Sequence, residues 1–300
     1  MSQNAPLPLF LAEKKLVLEK NSYLVLKLWL PKFEAWRKNT NLDWNYDKLI
    51  RDFGLHLIKK GLKTSSTYTA LNATRRYLRW LKENGTVVAE QYSPTLPKVP
   101  RETLFTPTED QVGQILNRVK ELVPEPYATA ISLLPLTGMR DSEMLTLTLD
   151  DGDIKDGRVT FMLHKTKMKR SREVPMLKTG TPLLQKYLTS IRPTFQSKSR
   201  WLFPKPKKGS TDHIDQKSME RHIRNLRDKL NIPNLTAHAF RRFYVTYLVG
   251  AGVREAIIAK IIGHTDLSLF DRYFGPDVNF LSDRLTEAED TIDARKDNRI

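Results

Sequence analysis

Four short stretches of the chain contain residues whose types and spacing could do chemistry. In LLPLTGMRDSEML, a glycine-containing turn leads into a predicted helix, with Arg140 in its first turn and Glu143 just after it. In LTAHAFRRFYVTYLVGAG, His238 and Arg241 lie three residues apart and therefore share one face of a helical turn. The N-terminus of that helix, which Thr236 is predicted to cap, presents free N–H groups and a positive dipole that favour a phosphate.

The other two stretches are a basic hairpin tip and a segment near the end of the chain. The tip, HKTKMKRSREVP, holds five basic residues before its first acid: Lys165, Lys167, Lys169, Arg170 and Arg172. In IIGHTDLSLFDRYFG, Tyr273 follows His264 by nine residues. Taken singly, a surface ion pair, a solvated turn, a buried histidine and a packed tyrosine would explain these features. Tyr244 and Tyr247 lie inside an apolar helical pattern, and we expect both to pack in the core.

The charge balance indicates a polyanionic partner. The 300 residues include 50 Lys and Arg against 34 Asp and Glu, a formal net charge of +16, and nucleic acid is the usual partner of such a surplus. The sequence shows neither a membrane-spanning apolar run nor the pattern of a signal peptide. It has no cysteine, and its six histidines lack metal-ligand spacing. We therefore expect a cytoplasmic protein without metal, cofactor or membrane.

The first part of the chain has a helical pattern from about residue 9 to residue 84. In SSTYTALNATRRYLRWLKENG, serine caps and Gly85 bound a predicted helix with an apolar stripe of Tyr68, Leu71, Leu78 and Leu81. Three arginines cluster off this stripe: Arg75, Arg76 and Arg79. A solvated basic face would explain them, but in a chain of this net charge contact with the DNA backbone is the better interpretation.

A proline-containing connector, YSPTLPKVPRETLFTPTED, follows the helical part. Thr108 is then predicted to cap a new helix, and GRVTFMLHKTKMKRSREVPML alternates as a β-hairpin or small sheet before the pattern becomes helical again. The predicted fold is mainly α with a small antiparallel β-sheet. Its predicted parts are a helical DNA-binding domain (1–92), a linker (93–106), an α+β domain (107–276) and a C-terminal helix or tail (277–300).

The predicted tail is an acidic amphipathic helix. Apolar residues recur at steps of three and four, at Val278, Leu281, Leu285, Ala288 and Ile292. The opposite positions are acidic: Asp283, Glu287, Glu289 and Asp290. On a basic protein such a helix is a poor DNA ligand and a good protein ligand, although it could also fold back on its own domain.

The order of these motifs resembles that of the tyrosine recombinases, also called the phage integrase family. The family shows a T-G-x-R-x-S-E-L-like motif, a hairpin lysine about eight residues before V-P, H-x-x-R at a helix start, and G-H with a tyrosine nine residues later. The matching residues are Arg140, Lys167, His238 with Arg241, and His264 with Tyr273. The resemblance covers roughly residues 107 to 276, the catalytic domain, whereas residues 1–92 match only in kind, as a core-binding domain.

The resemblance implies an enzyme that cleaves and rejoins DNA through a covalent 3′-phosphotyrosine, without metal or cofactor. Tyr273 would be the nucleophile, and Arg140 with Arg241 would clamp the non-bridging oxygens of the phosphate. The remaining roles would be a hydrogen bond to the phosphate from His264, a base at His238, a general acid at Lys167, support from Glu143, and DNA contacts from Lys165, Lys169 and Arg170.

The family also implies a site-specific recombinase on double-stranded DNA, working as a homo-tetramer on two duplexes with each C-terminal helix docked on a neighbouring protomer. A type IB topoisomerase shares a similar catalytic set, but the helical domain, the linker and TGMRDSE favour an integrase. A DNA-binding regulator or an inactive relative would not need a complete catalytic set. Integration, excision and dimer resolution all remain open.

Overall fold

The computed structural model describes residues 6–40, 44–85, 104–164 and 171–263. The chain divides into two compact units, Met1–Glu102 and Thr103–Ile300. Most of the predicted linker, the whole predicted tail and part of the predicted site lie outside the described residues, including Lys165, Lys167, Lys169, Arg170, His264 and Tyr273. The bounds of the predicted domains and linker therefore stay predictions.

The described part of the first unit is helical. Its elements are α1 (Pro6–Val17), α2 (Lys20–Thr40), α3 (Tyr46–Lys59) and α4 (Thr64–Glu83). The helices enclose an aromatic core, in which the rings of Phe33 and Phe53 meet edge to face with centroids 5.2 Å apart. The Tyr77 hydroxyl of α4 donates to the Glu34 carboxylate of α2 at 2.8 Å, so the polar end of this buried ring is satisfied.

Helix α4 carries the predicted basic face. The predicted apolar stripe is buried at Leu71, Leu78 and Leu81. Tyr68 is 40% exposed, so the buried stripe begins about one helical turn later than predicted. The arginines off the stripe are half-buried or exposed: Arg75, Arg76 and Arg79. Arg76 and Arg79 are exposed and therefore accessible to a ligand.

The helix ends test the predicted caps. The predicted serine caps are wrong, because α4 begins at Thr64 with Lys63 in the cap position. Gly85 follows α4 with a φ of +71°, the left-handed conformation typical of a helix end. The caps predicted at Thr108 and Thr236 are confirmed, since each side chain accepts a hydrogen bond from the backbone three residues later.

The second unit combines helices with one small sheet. Its helices are α5 (Glu109–Leu122), α6 (Tyr127–Thr137), α7 (Asp141–Leu145), α8 (Thr181–Lys186), α9 (Gln216–Lys229), α10 (Ala237–Gly250) and α11 (Glu255–Ile262), with short helical turns at Leu149–Asp151, Lys178–Gly180, Tyr187–Ile191 and Arg192–Phe195. The strands are β1 (Gly152–Lys155), β2 (Arg158–Leu163) and β3 (Arg172–Pro175), antiparallel in the order β1–β2–β3. Strands β2 and β3 are the predicted hairpin, and the predicted fold class is confirmed.

Helix α6 is the centre of the second unit. Every residue from Tyr127 to Thr137 is buried, as expected for a helix that is apolar all round. It packs against α5, α9 and α10, while α11 contacts both α10 and β3. These contacts bring the end of α6, the start of α10 and the end of α11 together. Among the described helices, none is long and apolar enough to cross a membrane.

Candidate active site

A left-handed turn at Gly138 positions the first arginine motif. Helix α6 ends at this residue with a φ of +62°, and an added Cβ would lie 2.3 Å from the Tyr244 ring of α10. Both the backbone conformation and the close approach of α10 therefore require glycine. The chain then reaches Arg140, which is the N-cap of α7 and so lies one residue before the predicted position in the first turn. Its side chain is 26% exposed.

Glu143 holds Arg140 through a buried carboxylate that is only 8% exposed. The Arg140 backbone N–H and guanidinium donate to it at 2.9 and 2.8 Å. Arg172 of β3 donates to the same two oxygens from both terminal nitrogens, at 3.0 and 2.7 Å, in the bidentate geometry that suits a carboxylate. Burial would raise the pKa of Glu143, but the hydrogen bonds and charge of Arg172, followed by those of Arg140, lower it below its usual value.

Arg172 is a site residue to which sequence reasoning assigned no role of its own. Its side chain is 9% exposed, and its Nε donates to the Ile261 carbonyl of α11 at 2.8 Å. A signal for its inward orientation exists in the sequence. Residues two apart on a strand share a face, and Val174, two residues later, is buried at 1% exposure.

Arg241 lies beneath the surface, at 1% exposure. One terminal nitrogen donates to the Gly138 carbonyl at 2.7 Å and the other to the Ile262 carbonyl at 2.5 Å. The side chain therefore joins the ends of α6 and α11 to the first turn of α10. The two bonds fix the plane of the guanidinium, which has five N–H donors in all.

His238 lies one residue into α10, beyond the Thr236 cap, and its side chain is exposed. Its pKa is lowered, first by the partial desolvation of the ring and then by the positive charges of Arg241, Arg242 and Arg140. Because the ordinary pKa is 6.5, the lowered value keeps the imidazole neutral at pH 7. A neutral imidazole can accept a proton.

The predicted catalytic and supporting residues that the structure describes lie around one turn, residues 138–140. They are Arg140, Glu143, His238 and Arg241. The predicted DNA contacts Arg75, Arg76 and Arg79 lie on α4 of the first unit, and the remaining predicted site residues lie outside the described residues. In the sequence, Lys167 falls between β2 and β3, and His264 directly follows Gly263. Within the described ranges, no group of three or more acidic or histidine side chains is arranged to hold a metal ion.

The two tyrosines of α10 differ in their surroundings. Tyr244 is buried as predicted, at 2% exposure, and its hydroxyl donates to the Pro175 carbonyl at 3.2 Å. Tyr247 is 38% exposed and stacks on Phe243, so the prediction that it packs in the core is wrong. Burial raises the pKa of Tyr244 to about 12, which makes its phenol a poor nucleophile at neutral pH.

An open cleft of about 430 Å³ lies beside His238. Its wall on α9 carries Arg224, Arg227 and Glu220, and its other walls include Asp141 and Thr236. The cleft thus joins the start of α10 to a basic helix whose side chains can reach a polyanion.

Comparison with known proteins agrees with this architecture. The family model described as "Phage integrase family" matches residues 106–279. Tyrosine recombinase XerD of Pasteurella multocida is 26% identical over 282 residues, which cover 91% of this chain and 94% of that protein.

Two solved structures share the fold. The Tn1549 transposon integrase in complex with a circular intermediate DNA superposes with a TM-score of 0.71 at 17% identity, covering 90% of this chain and 94% of that one. The XerH site-specific recombinase bound to palindromic difH substrate gives a TM-score of 0.68 at 18% identity, covering 89% and 78%. Because the family match spans more than half of the sequence, the chain belongs to the phage integrase family, the tyrosine recombinases that cleave and rejoin DNA.

Proposed function

We propose that the protein recombines double-stranded DNA at a specific site through a covalent 3′-phosphotyrosine at Tyr273. The observation that carries the proposal is the cluster around residues 138–140, where Arg140, His238 and Arg241 converge. An open cleft with Arg224 and Arg227 on one wall lies beside His238. Cleavage of a phosphodiester without a metal needs positive charge around the phosphorus and a base for the nucleophile. The cluster supplies both. A DNA-associated location in the cytoplasm is part of the proposal.

The proposed reaction exchanges one phosphoester bond for another. The Tyr273 oxygen forms a bond to the scissile phosphorus, and its proton passes to the neutral imidazole of His238. The bond from phosphorus to the 5′-oxygen breaks, and Lys167 protonates that oxygen. The reverse reaction with a 5′-hydroxyl from another strand completes the exchange, and because the bond energy is kept in the phosphotyrosine, no nucleotide cofactor is needed.

The two catalytic arginines have different surroundings and therefore different duties. Arg140 is half-buried, and its guanidinium contacts the phosphate while Glu143 holds it from behind. Arg241 is buried and fixed by two carbonyls, so it presents a rigid guanidinium edge to a non-bridging oxygen. His264 donates a further hydrogen bond to the same phosphate.

Both units contribute to DNA binding in this proposal. The basic face of α4 contacts phosphates through Arg76 and Arg79, which are exposed, and through Arg75, which is half-buried. The hairpin residues Lys165, Lys169 and Arg170 contact phosphates near the cleaved bond. Four protomers assemble on two duplexes, and residues 277–300 of each dock on a neighbour, because an acidic amphipathic helix suits a protein surface better than DNA.

A nicked suicide substrate tests the proposal, since cleavage near the nick releases a short fragment and traps the covalent complex. Wild-type protein should form an adduct that survives denaturing electrophoresis, whereas Tyr273→Phe should bind the same DNA and form none. Tyr247→Phe is the matched control, because Tyr247 is an exposed tyrosine without a role in the reaction. An adduct with Tyr273→Phe would refute the assignment. A regulator would form no adduct, whereas a topoisomerase would form one but would not join strands from two duplexes.

A further inference from the structure

Arg172 connects two parts of the site that are distant in sequence. Through Glu143 it is one hydrogen-bonded step from Arg140, and through the Ile261 carbonyl it is bonded to the last turn of α11. All three of its guanidinium nitrogens are used in these contacts. The chain positions joined in this way are 29 and 89 residues away from Arg172.

The Glu143 carboxylate is shared in a symmetrical manner. One oxygen accepts from both guanidinium groups, and the other accepts from Arg172 and from the Arg140 backbone N–H. A change at Arg172 therefore leaves Arg140 as the sole partner of a buried anion. The Arg140 guanidinium would then be drawn toward Glu143, away from the phosphate that it is proposed to hold.

The contact with α11 is equally close. Gly263 ends the helix with a φ of +69°, and an added Cβ would lie 3.0 Å from a terminal nitrogen of Arg172. The backbone thus passes directly over the guanidinium, and His264 is the next residue. Arg241 binds the neighbouring Ile262 carbonyl, so two arginines from different elements fix this helix end.

We propose that Arg172 is a positioning residue for strand cleavage, which aligns Arg140 and the α11 end that leads to His264 and Tyr273. This role rests on the proposed function. It requires an arginine, because a bidentate bond to Glu143 and a third bond to Ile261 need a planar fork, while a lysine supplies only a point charge. Arg172 itself does not contact the DNA.

Single-turnover cleavage of the suicide substrate by Arg172→Lys tests the role. The cleavage rate should fall about 10- to 100-fold, as a small displacement of catalytic groups does, while the Kd for DNA changes little. The lysine loses hydrogen bonds to Glu143 and Ile261, so the melting temperature should also fall, and both proteins are compared at a temperature where they are folded. Arg158→Lys is the matched control, because Arg158 is an exposed arginine of the same sheet, and its rate should equal that of the wild type. An unchanged cleavage rate in folded Arg172→Lys, or a loss of DNA affinity as large as the loss of rate, would overturn the proposal.

A double-mutant cycle identifies the residue through which Arg172 acts. If Arg172 acts through Arg140, the double variant Arg140→Lys/Arg172→Lys should be scarcely slower than Arg140→Lys alone. If the two substitutions slow cleavage by independent factors, so that the double variant is slowed by their product, Arg172 does not act through Arg140.

Gly263→Ala provides a second probe that leaves Arg172 in place, since its Cβ meets the guanidinium. It should also slow cleavage, whereas Gly252→Ala should not, because Gly252 has a similar φ of +78° but open space around its Cβ position. Equal rates for the two alanine variants would overturn the role even if Arg172→Lys does not fold. A wild type without a Tyr273-dependent adduct would instead refute the proposed function, and this role with it.

Discussion

Replacement of Glu143 by glutamine should destabilise the second unit by about 3–5 kcal/mol at neutral pH, as the loss of one partner from a buried ionic cluster does. The carboxylate accepts four hydrogen bonds from Arg140 and Arg172, at 2.7 to 3.0 Å. A glutamine has one accepting oxygen and one donating nitrogen, so two of these contacts become donor against donor. At about 1.5–3 kcal/mol for each hydrogen bond to a charged group, the two lost bonds account for the predicted effect.

The effect of this substitution should depend on pH in a defined direction. Burial alone would raise the pKa of Glu143. The pairing with Arg172 and Arg140 outweighs burial and holds this pKa below its ordinary value of 4.5 in the folded state. Such a carboxyl contributes stability above the unfolded pKa and loses it as the pH falls through the folded pKa. The difference between wild type and Glu143→Gln should therefore be constant from pH 7 to about pH 5 and shrink below about pH 4.

Urea unfolding followed by hydrogen exchange and mass spectrometry can measure this difference, because peptides of the second unit report on its stability separately. Glu121→Gln is the matched control. It breaks an exposed pair with Arg118, in which Glu121 is 65% exposed, and should cost less than about 1 kcal/mol. If Glu143→Gln and Glu121→Gln lower the free energy of unfolding by equal amounts, the Glu143 cluster does not depend on its buried charge, and the reasoning is wrong.

Three further predictions concern DNA. A 5′-bridging sulfur needs no protonation on leaving, so a substrate with this sulfur should restore cleavage by Lys167→Ala. If it instead restores cleavage by Lys165→Ala or Lys169→Ala, that lysine is the general acid. DNA binding, measured as Kd against salt concentration, should show a steep log–log slope, and Arg79→Ala should reduce the slope by about one phosphate contact; a slope near zero would contradict the phosphate contacts. Deletion of residues 277–300 should impair synaptic assembly and recombination far more than single-site binding, and normal recombination by the truncated protein would exclude docking in trans.

Sequence reasoning succeeded where the signal is local. The alternation of β2 and β3 predicted the hairpin, and a threonine before acidic residues predicted the cap at Thr108. The position of Arg140 beside a glycine turn was also readable, because residues with left-handed backbone are mostly glycines.

Features that depend on tertiary packing were not predicted. Tyr68 and Tyr247 fit an apolar helical pattern but face solvent, because a helical period does not show how far the neighbouring helices cover a stripe. The burial of Arg241 results from carbonyls 103 and 21 residues away. The contacts of Arg172 likewise involve partners on α7 and α11, which no local pattern links to a strand.

The most direct test of the central claim is to identify the atom that joins the protein to DNA. After reaction with the suicide substrate, trypsin digestion and mass spectrometry should find one modified peptide, with the nucleotide linked to the Tyr273 oxygen through a 3′-phosphate. DNA labelled on the 5′ side of the scissile bond should stay with the protein, and the other fragment should carry a free 5′-hydroxyl. A nucleotide on another residue, a 5′-phosphate linkage, or cleavage without any covalent adduct would contradict the account.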